Sequence, residues 1–152
     1  MDIKDIVFQA VSHLSEGVII TDALLDEPDH PMIVWANKAM ERITGYTVAE
    51  IIGKTPRVLQ GEKTNKQERK FLREELKKGH QFNSVIENYR KDGTTYWVDL
   101  LISPVFDQEG NVIYYIAIQR DVSHEKEMEQ IIDEQLAQLK EANKVLGKLS
   151  SR

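Results

Sequence analysis

Apolar positions along the chain change period twice, and those changes divide it into three kinds of segment. In the first stretch Ile3, Ile6, Val7, Ala10, Val11 and Leu14 recur at helical spacing and Gly17 suits a left-handed cap, so residues 1–16 read as an N-terminal amphipathic helix. Two β-branched runs, "VIITD" and "PMIVWAN", follow with the turn-rich "EPDH" between them, which predicts two strands. Helical spacing then returns. Asn37 is placed to cap "KAMERIT", Thr47 and Glu50 form a capping-box pair ahead of "VAEIIG", and Thr64 with Gln67 opens a longer helix. Its apolar face holds Phe71, Leu72 and Leu76, and Gly79 closes it. From Phe82 the period is two: "FNSVIENYR", "TTYWVDLLISPVFD" and "NVIYYIAIQRDV", separated by "KDG" and "QEG" turns, read as three successive antiparallel strands.

Both faces of those strands are apolar. Val98, Leu100 and Ile102 share one side of the middle strand and Trp97 and Leu101 the other, while Ile113, Tyr115 and Ala117 lie opposite Tyr114, Ile116 and Ile118 on the last. Such a sheet needs cover on each side, the middle helices on one and a terminal helix or second subunit on the other. In the tail, Ser123 is a candidate N-cap, and Met128, Ile132, Gln135, Leu139, Ala142, Leu146 and Leu149 fall at alternating steps of four and three. That is the seam of a coiled coil; a helix folded back on its own sheet is the alternative. The expected organisation is an α+β chain with a core over 17–122 and a C-terminal signalling or coiled-coil helix over 123–152.

Composition narrows the function classes. With 152 residues, 41% hydrophobic and 30% charged, the chain suits one core plus an extension. Its net charge of −5, without blocks of like charge, argues against a nucleic-acid backbone or an anionic membrane as partner. The run "VIYYIAI" at 112–118 is far shorter than the roughly 18 apolar residues a membrane helix needs. The absence of cysteine removes disulfides, thiolate nucleophiles and Cys-ligated metals, and points to a cytoplasmic address. His13, His30, His80 and His124 sit in different predicted elements without metal-ligand spacing, and neither a Ser-His-acid arrangement nor a phosphate loop is visible. Neither a metal nor a catalytic set is expected, and an enzyme acting on a small ligand would lack both nucleophile and base.

From about Gly17 to Ser123 the order of elements, with "NKAMERITGYTVAEIIGKTPRVLQG", "NYRKDGTTYW", "ISPVFDQEGNVIYYIAIQRDVS" and the exit Asp121-Val122-Ser123, resembles a PAS domain. The most similar branch is the light-oxygen-voltage (LOV) group of flavin photoreceptors, whose loop reads G-x-N-C-R-F-L-Q and whose later strands read N-Y-x-K-D-G-x-x-F-W-N and G-I/V-Q. The resemblance implies a five-stranded antiparallel sheet with short helices on one face and flanking helices, and no enzymatic activity. It implies FMN or FAD as cofactor, with Arg57 and Arg73 on the phosphate, Gln60 on the ribityl chain, Asn88 on the pyrimidine edge and Gln119 at N5/O4. Three positions depart from the pattern. Thr55 stands where the family has a ribityl-binding asparagine, Pro56 where it has the photoactive cysteine, and Val98 where it has a second asparagine for the ring edge. Without the thiol, no flavin–cysteinyl adduct can form. Light or redox sensing would then draw electrons from Trp35, Trp97, Tyr114 or Tyr115, in strands that border the pocket. The apolar back face and the seven-residue pattern of the tail predict a homodimer through the flanking helices and the back of the sheet, and the resemblance implies that its signal passes to a downstream output domain or partner protein.

Read from their own chemistry, the same residues leave alternatives open. Asn88 and Gln119 share the inward parity of Ile86, Val98 and Ala117, so each sets an amide among apolar side chains; a ligand, a water or a neighbouring group must satisfy it. Arg57 and Arg73 could fork onto a phosphate or simply face solvent. Thr55 followed by Pro56 is a good helix start, N-cap then N1, so the loop is well formed without its reactive residue. A ligand-free module for dimerisation or protein interaction is therefore the second reading.

Overall fold

The computed structural model describes residues 1–151. Its elements run α1 (Ile3–Ser12), β1 (Gly17–Asp22), β2 (Ile33–Ala36), α2 (Ala39–Thr44), α3 (Val48–Ile51), a 3-10 turn (Pro56–Leu59), α4 (Lys66–Lys77), β3 (Phe82–Tyr89), β4 (Thr95–Phe106), β5 (Val112–Asp121) and α5 (Ser123–Ser150). The strands form one antiparallel sheet in the order β2-β1-β5-β4-β3, so β5 returns to the middle beside the first strand of the core. This is the α+β PAS architecture with its five-stranded sheet.

Strand parity decides which side chains meet the helices. Leu100 pairs with Gln119, Ile102 and Ile19 with Ala117, and Ile86 with Val98. All of these sit on one face, and that face carries the core: Ile19, Ile86, Val98, Leu100 and Ala117 cluster with Ile33, Met40, Ile51 and Leu59 from β2, the short helices and the 3-10 turn. Burying each of the Ile, Leu, Val and Met side chains in this cluster contributes about 1.5–3 kcal/mol, and the loops on this side are held accordingly. The turns are built as their residues dictate. Thr47 and Glu50 make the reciprocal capping box, Thr55 accepts from the Arg57 backbone N–H with Pro56 at the first position, and Gly79 takes φ 76° after α4.

Four local expectations are corrected. Asn37 does not cap α2: its Oδ1 accepts from the Val18 N–H at 2.9 Å and its Nδ2 donates to the carbonyls of Val11 and Glu16, tying the end of α1 to β1. Thr64 does not cap α4. Its hydroxyl accepts from Gly61 N–H and donates to Glu87 O, and the cap is Asn65, which accepts from both Gln67 and Glu68. Ser123 is the first residue of α5, with Val122 preceding it and no side-chain cap. Gly17 lies in β1, four residues after the C-cap of α1 at His13, and a Cβ there would collide with Met40 Sδ; close approach, rather than a left-handed turn, calls for glycine.

From Val122 onward the chain forms a second compact unit. Along α5 the residues at the coiled-coil positions are all exposed, Leu139 and Leu146 by 58% and 62%. Among the described residues no helix is long and apolar enough to cross a membrane.

Candidate functional site

The inner face of the sheet and α4 enclose a cavity of about 420 Å³. Its floor is Ile19, Thr21, Ile86, Leu100, Ala117 and Gln119; α4 contributes Arg69, Leu72, Arg73 and Leu76, one helix stripe at steps of three and four. Thr55, Pro56, Arg57 and Gln60 close one end, and Leu25, His30 and Pro31 reach in from the β1–β2 loop. The size falls within the range of small-molecule sites, and the lining has the usual character of an apolar body with a few polar groups.

All the sequence-predicted site residues except Val98 line this one cavity, as does Pro56. Val98 is fully buried in the core cluster. Asn88 and Gln119 are buried, at 4% and 2% exposure, as their parity requires. Between them stands Tyr96, which sequence reasoning passed over. Its hydroxyl donates to Gln119 Oε1 over a long 3.4 Å, and Asn88 bonds it in turn. Because Asn88 Oδ1 has no partner, that contact uses Nδ2. Burial pushes the Tyr96 phenol up to about 12, against the smaller lowering effect of Asn88, so the hydroxyl keeps its proton and can donate.

The cationic side is arranged differently from the expectation. Arg73 bonds Asp26 of the β1–β2 loop at 2.7 Å, where Lys77 joins it at 2.8 Å; these hold the exposed Asp26 carboxyl below its ordinary range, Lys77 more than Arg73. Arg57 donates from Nη2 to His30 O and from Nε to Thr55 Oγ1. Gln60 is engaged by Arg69, whose Nη1 donates to Gln60 Oε1 at 3.0 Å. Arg69 is the second residue that sequence reasoning missed. Its signal was there: it lies three and four residues before Leu72 and Arg73, on the stripe that faces the sheet.

Of the aromatic side chains considered as electron donors, only Tyr115 lines the cavity. Trp97 and Tyr114 have the opposite parity to the lining residues of their strands, and Trp35, opposite Ile20, packs against Phe8 of α1 with ring centroids 6.0 Å apart. Among the described residues no group of three or more His, Asp or Glu is placed to hold a metal ion.

The sequence pattern of the PAS domain family matches residues 16–124. A blue-light photoreceptor of Listeria monocytogenes serovar 1/2a is 34% identical over 135 residues, which cover 89% of this chain and 52% of that protein. The chain thus spans about half the length of that relative. Among solved structures, an RNA-binding light-oxygen-voltage receptor superposes with a TM-score of 0.78 at 35% identity, covering 93% of this chain and 39% of that one. A light-oxygen-voltage domain studied with a flavin analogue gives 0.71 at 32% identity, covering 86% and 95%. Sequence, fold and cavity agree: the chain belongs to the PAS domain family, with light-oxygen-voltage domains among its relatives, and is a sensory signal-transduction module.

Proposed function

We propose that this module binds a flavin nucleotide, FMN or FAD, in the 420 Å³ cavity and signals without a thiol adduct. The observation that carries the reading is Asn88 Oδ1, a buried carbonyl without a partner beside a cavity lined by apolar side chains. Leaving such a group unpaired costs about 1–3 kcal/mol, which a ring-edge N–H of the ligand would offset. Asn88 and Gln119 would hold the polar edge of the ring, Leu72, Leu100, Ile102 and Ala117 its faces, and the arginines at the end of the cavity a phosphate. A flavin supplies redox-dependent charge and hydrogen bonding at its ring. With no cysteine in the chain and Pro56 in its place, the natural signal is a change in that ring's charge and hydrogen bonding, sensed by Gln119, rather than a covalent bond. Output would pass through α5 of a homodimer to a downstream domain or partner.

Tyr96 favours a second reading. Because it already bridges Gln119 and Asn88, the amides are partly satisfied from within, as in a ligand-free module used for dimerisation or protein interaction. Reconstitution separates the two. Flavin should stay with the protein after desalting, Gln119→Leu should shift its visible absorption, and Asn88→Ala should weaken binding. Failure to retain FMN or FAD at high micromolar concentration would leave the ligand-free reading.

A further inference from the structure

One side of the cavity differs in kind from the rest. The sheet, α4 and the 3-10 turn supply regular walls, whereas residues 23–32 cross as an irregular loop that reaches in with Leu25, His30 and Pro31. This loop is bonded into a body of its own. The Asp22 N–H donates to Met32 O and closes its base, the Leu24 N–H bonds Asp22 Oδ1, the His30 N–H bonds Glu27 O, and His30 Nδ1 lies 2.6 Å from Asp22 Oδ2. Across the cavity it is fastened to α4. Asp26 takes Arg73 at 2.7 Å and Lys77 at 2.8 Å, while Leu25 beside it packs against the cluster of Leu76, Phe82 and Tyr115. The Asp26 side chain is 73% exposed and its partners 43% and 45%, so water and salt reach this contact. At the other end Arg57 Nη2 donates to His30 O and ties the loop to the 3-10 turn.

We propose that the β1–β2 loop is a lid on the cavity, hinged at its Asp22–Met32 base and latched to α4 by Asp26, so that entry to the cavity is gated by a salt-sensitive contact. Releasing the latch lets Leu25 withdraw and opens the wall beside α4, while the ladder of β1 with β5 stays intact. Ion pairs this exposed are individually weak and are screened as ionic strength rises, which suits a contact made and broken while the sheet remains folded. The inference rests on reading the cavity as a ligand site and says how that site is entered, whatever the ligand.

The test needs no ligand, because the chain has no cysteine of its own. Ala117→Cys and, as a second reporter, Thr21→Cys each place one thiol on the cavity floor, and Val98→Cys places one in the core cluster outside the cavity lining. Each full-chain variant is checked for folding by circular dichroism and labelled with methyl methanethiosulfonate, a small neutral reagent, the rate being read by mass spectrometry. The cavity thiols should label about tenfold or more faster than the core thiol and depend little on dilute urea, since opening a lid exposes little surface. Adding Asp26→Ala should speed cavity labelling by about three- to tenfold, the range of one or two exposed ion pairs. Raising sodium chloride from about 0.05 to about 1 M should do the same for the chain that keeps Asp26 and change the Asp26→Ala chain by less than about twofold. Glu75→Gln breaks the pairs of Glu75 with Lys78 and His80 at the end of α4 without touching the loop, and should leave the rate within about twofold. The lid is overturned if cavity and core thiols share one rate and one urea dependence, if cavity labelling ignores Asp26→Ala and salt, or if Glu75→Gln matches Asp26→Ala. Lid behaviour in a protein that retains neither FMN nor FAD would remove the flavin alone; a flavin retained by a protein whose cavity thiols ignore Asp26 would remove the lid alone.

Discussion

Arg90 bonds the Asp121 carboxylate through Nη2 at 3.0 Å, joining the end of β3 to the last residue of β5. The same guanidinium lies over the Tyr96 ring, 4.8 Å from its centroid, and donates to the carbonyls of Ile43 and Thr95. Tyr96 is the residue that bridges the cavity amides. A continuous chain of contacts thus runs from Gln119 through Tyr96 and Arg90 to Asp121, where the core gives way to the second unit.

Arg90→Met should therefore be among the most damaging substitutions outside the core. It removes charge-assisted bonds and strands the Ile43 and Thr95 carbonyls, at a cost of about 1.5–3 kcal/mol in urea unfolding. The two side chains are partly exposed, at 28% and 32%, so the coupling between Arg90 and Asp121 in a double-mutant cycle should be only about 1 kcal/mol. A cost for Arg90→Met no larger than that coupling would mean that its carbonyl and ring contacts contribute little.

Tyr96→Phe isolates the bridge. It keeps the buried ring and deletes the hydroxyl, leaving Gln119 Oε1 and Asn88 Nδ2 without their shared partner, and should cost about 1–3 kcal/mol in the ligand-free protein. If the cavity ligand takes over those amides, saturation should narrow the gap between the variants. In an ultraviolet titration of the folded wild type, the phenol that Tyr96→Phe removes should be one that ionises near 12.

The fold was legible because its signals are local and redundant: a period of two over three long strands, turn residues at "KDG" and "QEG", and caps at Thr47 and Thr55 that the structure reproduces. Inward parity also located Asn88 and Gln119 correctly. What failed was partner choice. Asn37 and Thr64 carry side chains that can cap a helix, but each found a partner far along the chain, Val18 and Glu87, which no local pattern encodes. Tyr96 went unnoticed, since its meaning depends on two amides on other strands. Arg69 was hidden differently: a helix rich in charge makes solvation the default for each arginine, and only the stripe shared with Leu72 and Leu76 turns this one inward. Arg73 shares that stripe, but Asp26 engages it.

Glu50 makes stability depend on acid. Lys91 Nζ lies 2.6 Å from Glu50 Oε2, and the Thr47 N–H donates to Oε1; the lysine first and the backbone second bring the carboxyl from 4.5 down to about 2. A depressed folded value means that the stabilisation is complete above 4.5 and disappears as pH falls through about 2. Glu50→Gln should melt below the wild type near neutral pH, with the gap closing steadily over that window. A gap that stays constant from neutral pH to the bottom of the window would show that the charge of Glu50 plays no part.

The proposed dimer rests on apolar surface that the single chain leaves open. In α5, Ile132, Leu139, Leu146 and Leu149 are all more than half exposed, and in α1 so are Ile3, Val7 and Phe8. Covering a fully exposed leucine is favourable by about 1.5–3 kcal/mol, so the three or four seam residues and their copies, already nearly half covered in the single chain, contribute on the order of the roughly 4–15 kcal/mol that association costs. A single charge at the centre of the seam should accordingly be decisive. Multi-angle light scattering at tens of micromolar, a range that detects micromolar association, should report a dimer for the wild type and a monomer for Leu139→Asp. Ile6→Asp should weaken the dimer less, because α1 lacks the seven-residue repeat that lets two helices interlock along their length. A wild-type monomer would remove the dimer from the account; a dimer indifferent to Leu139→Asp but broken by Ile6→Asp would move the contact from α5 to α1.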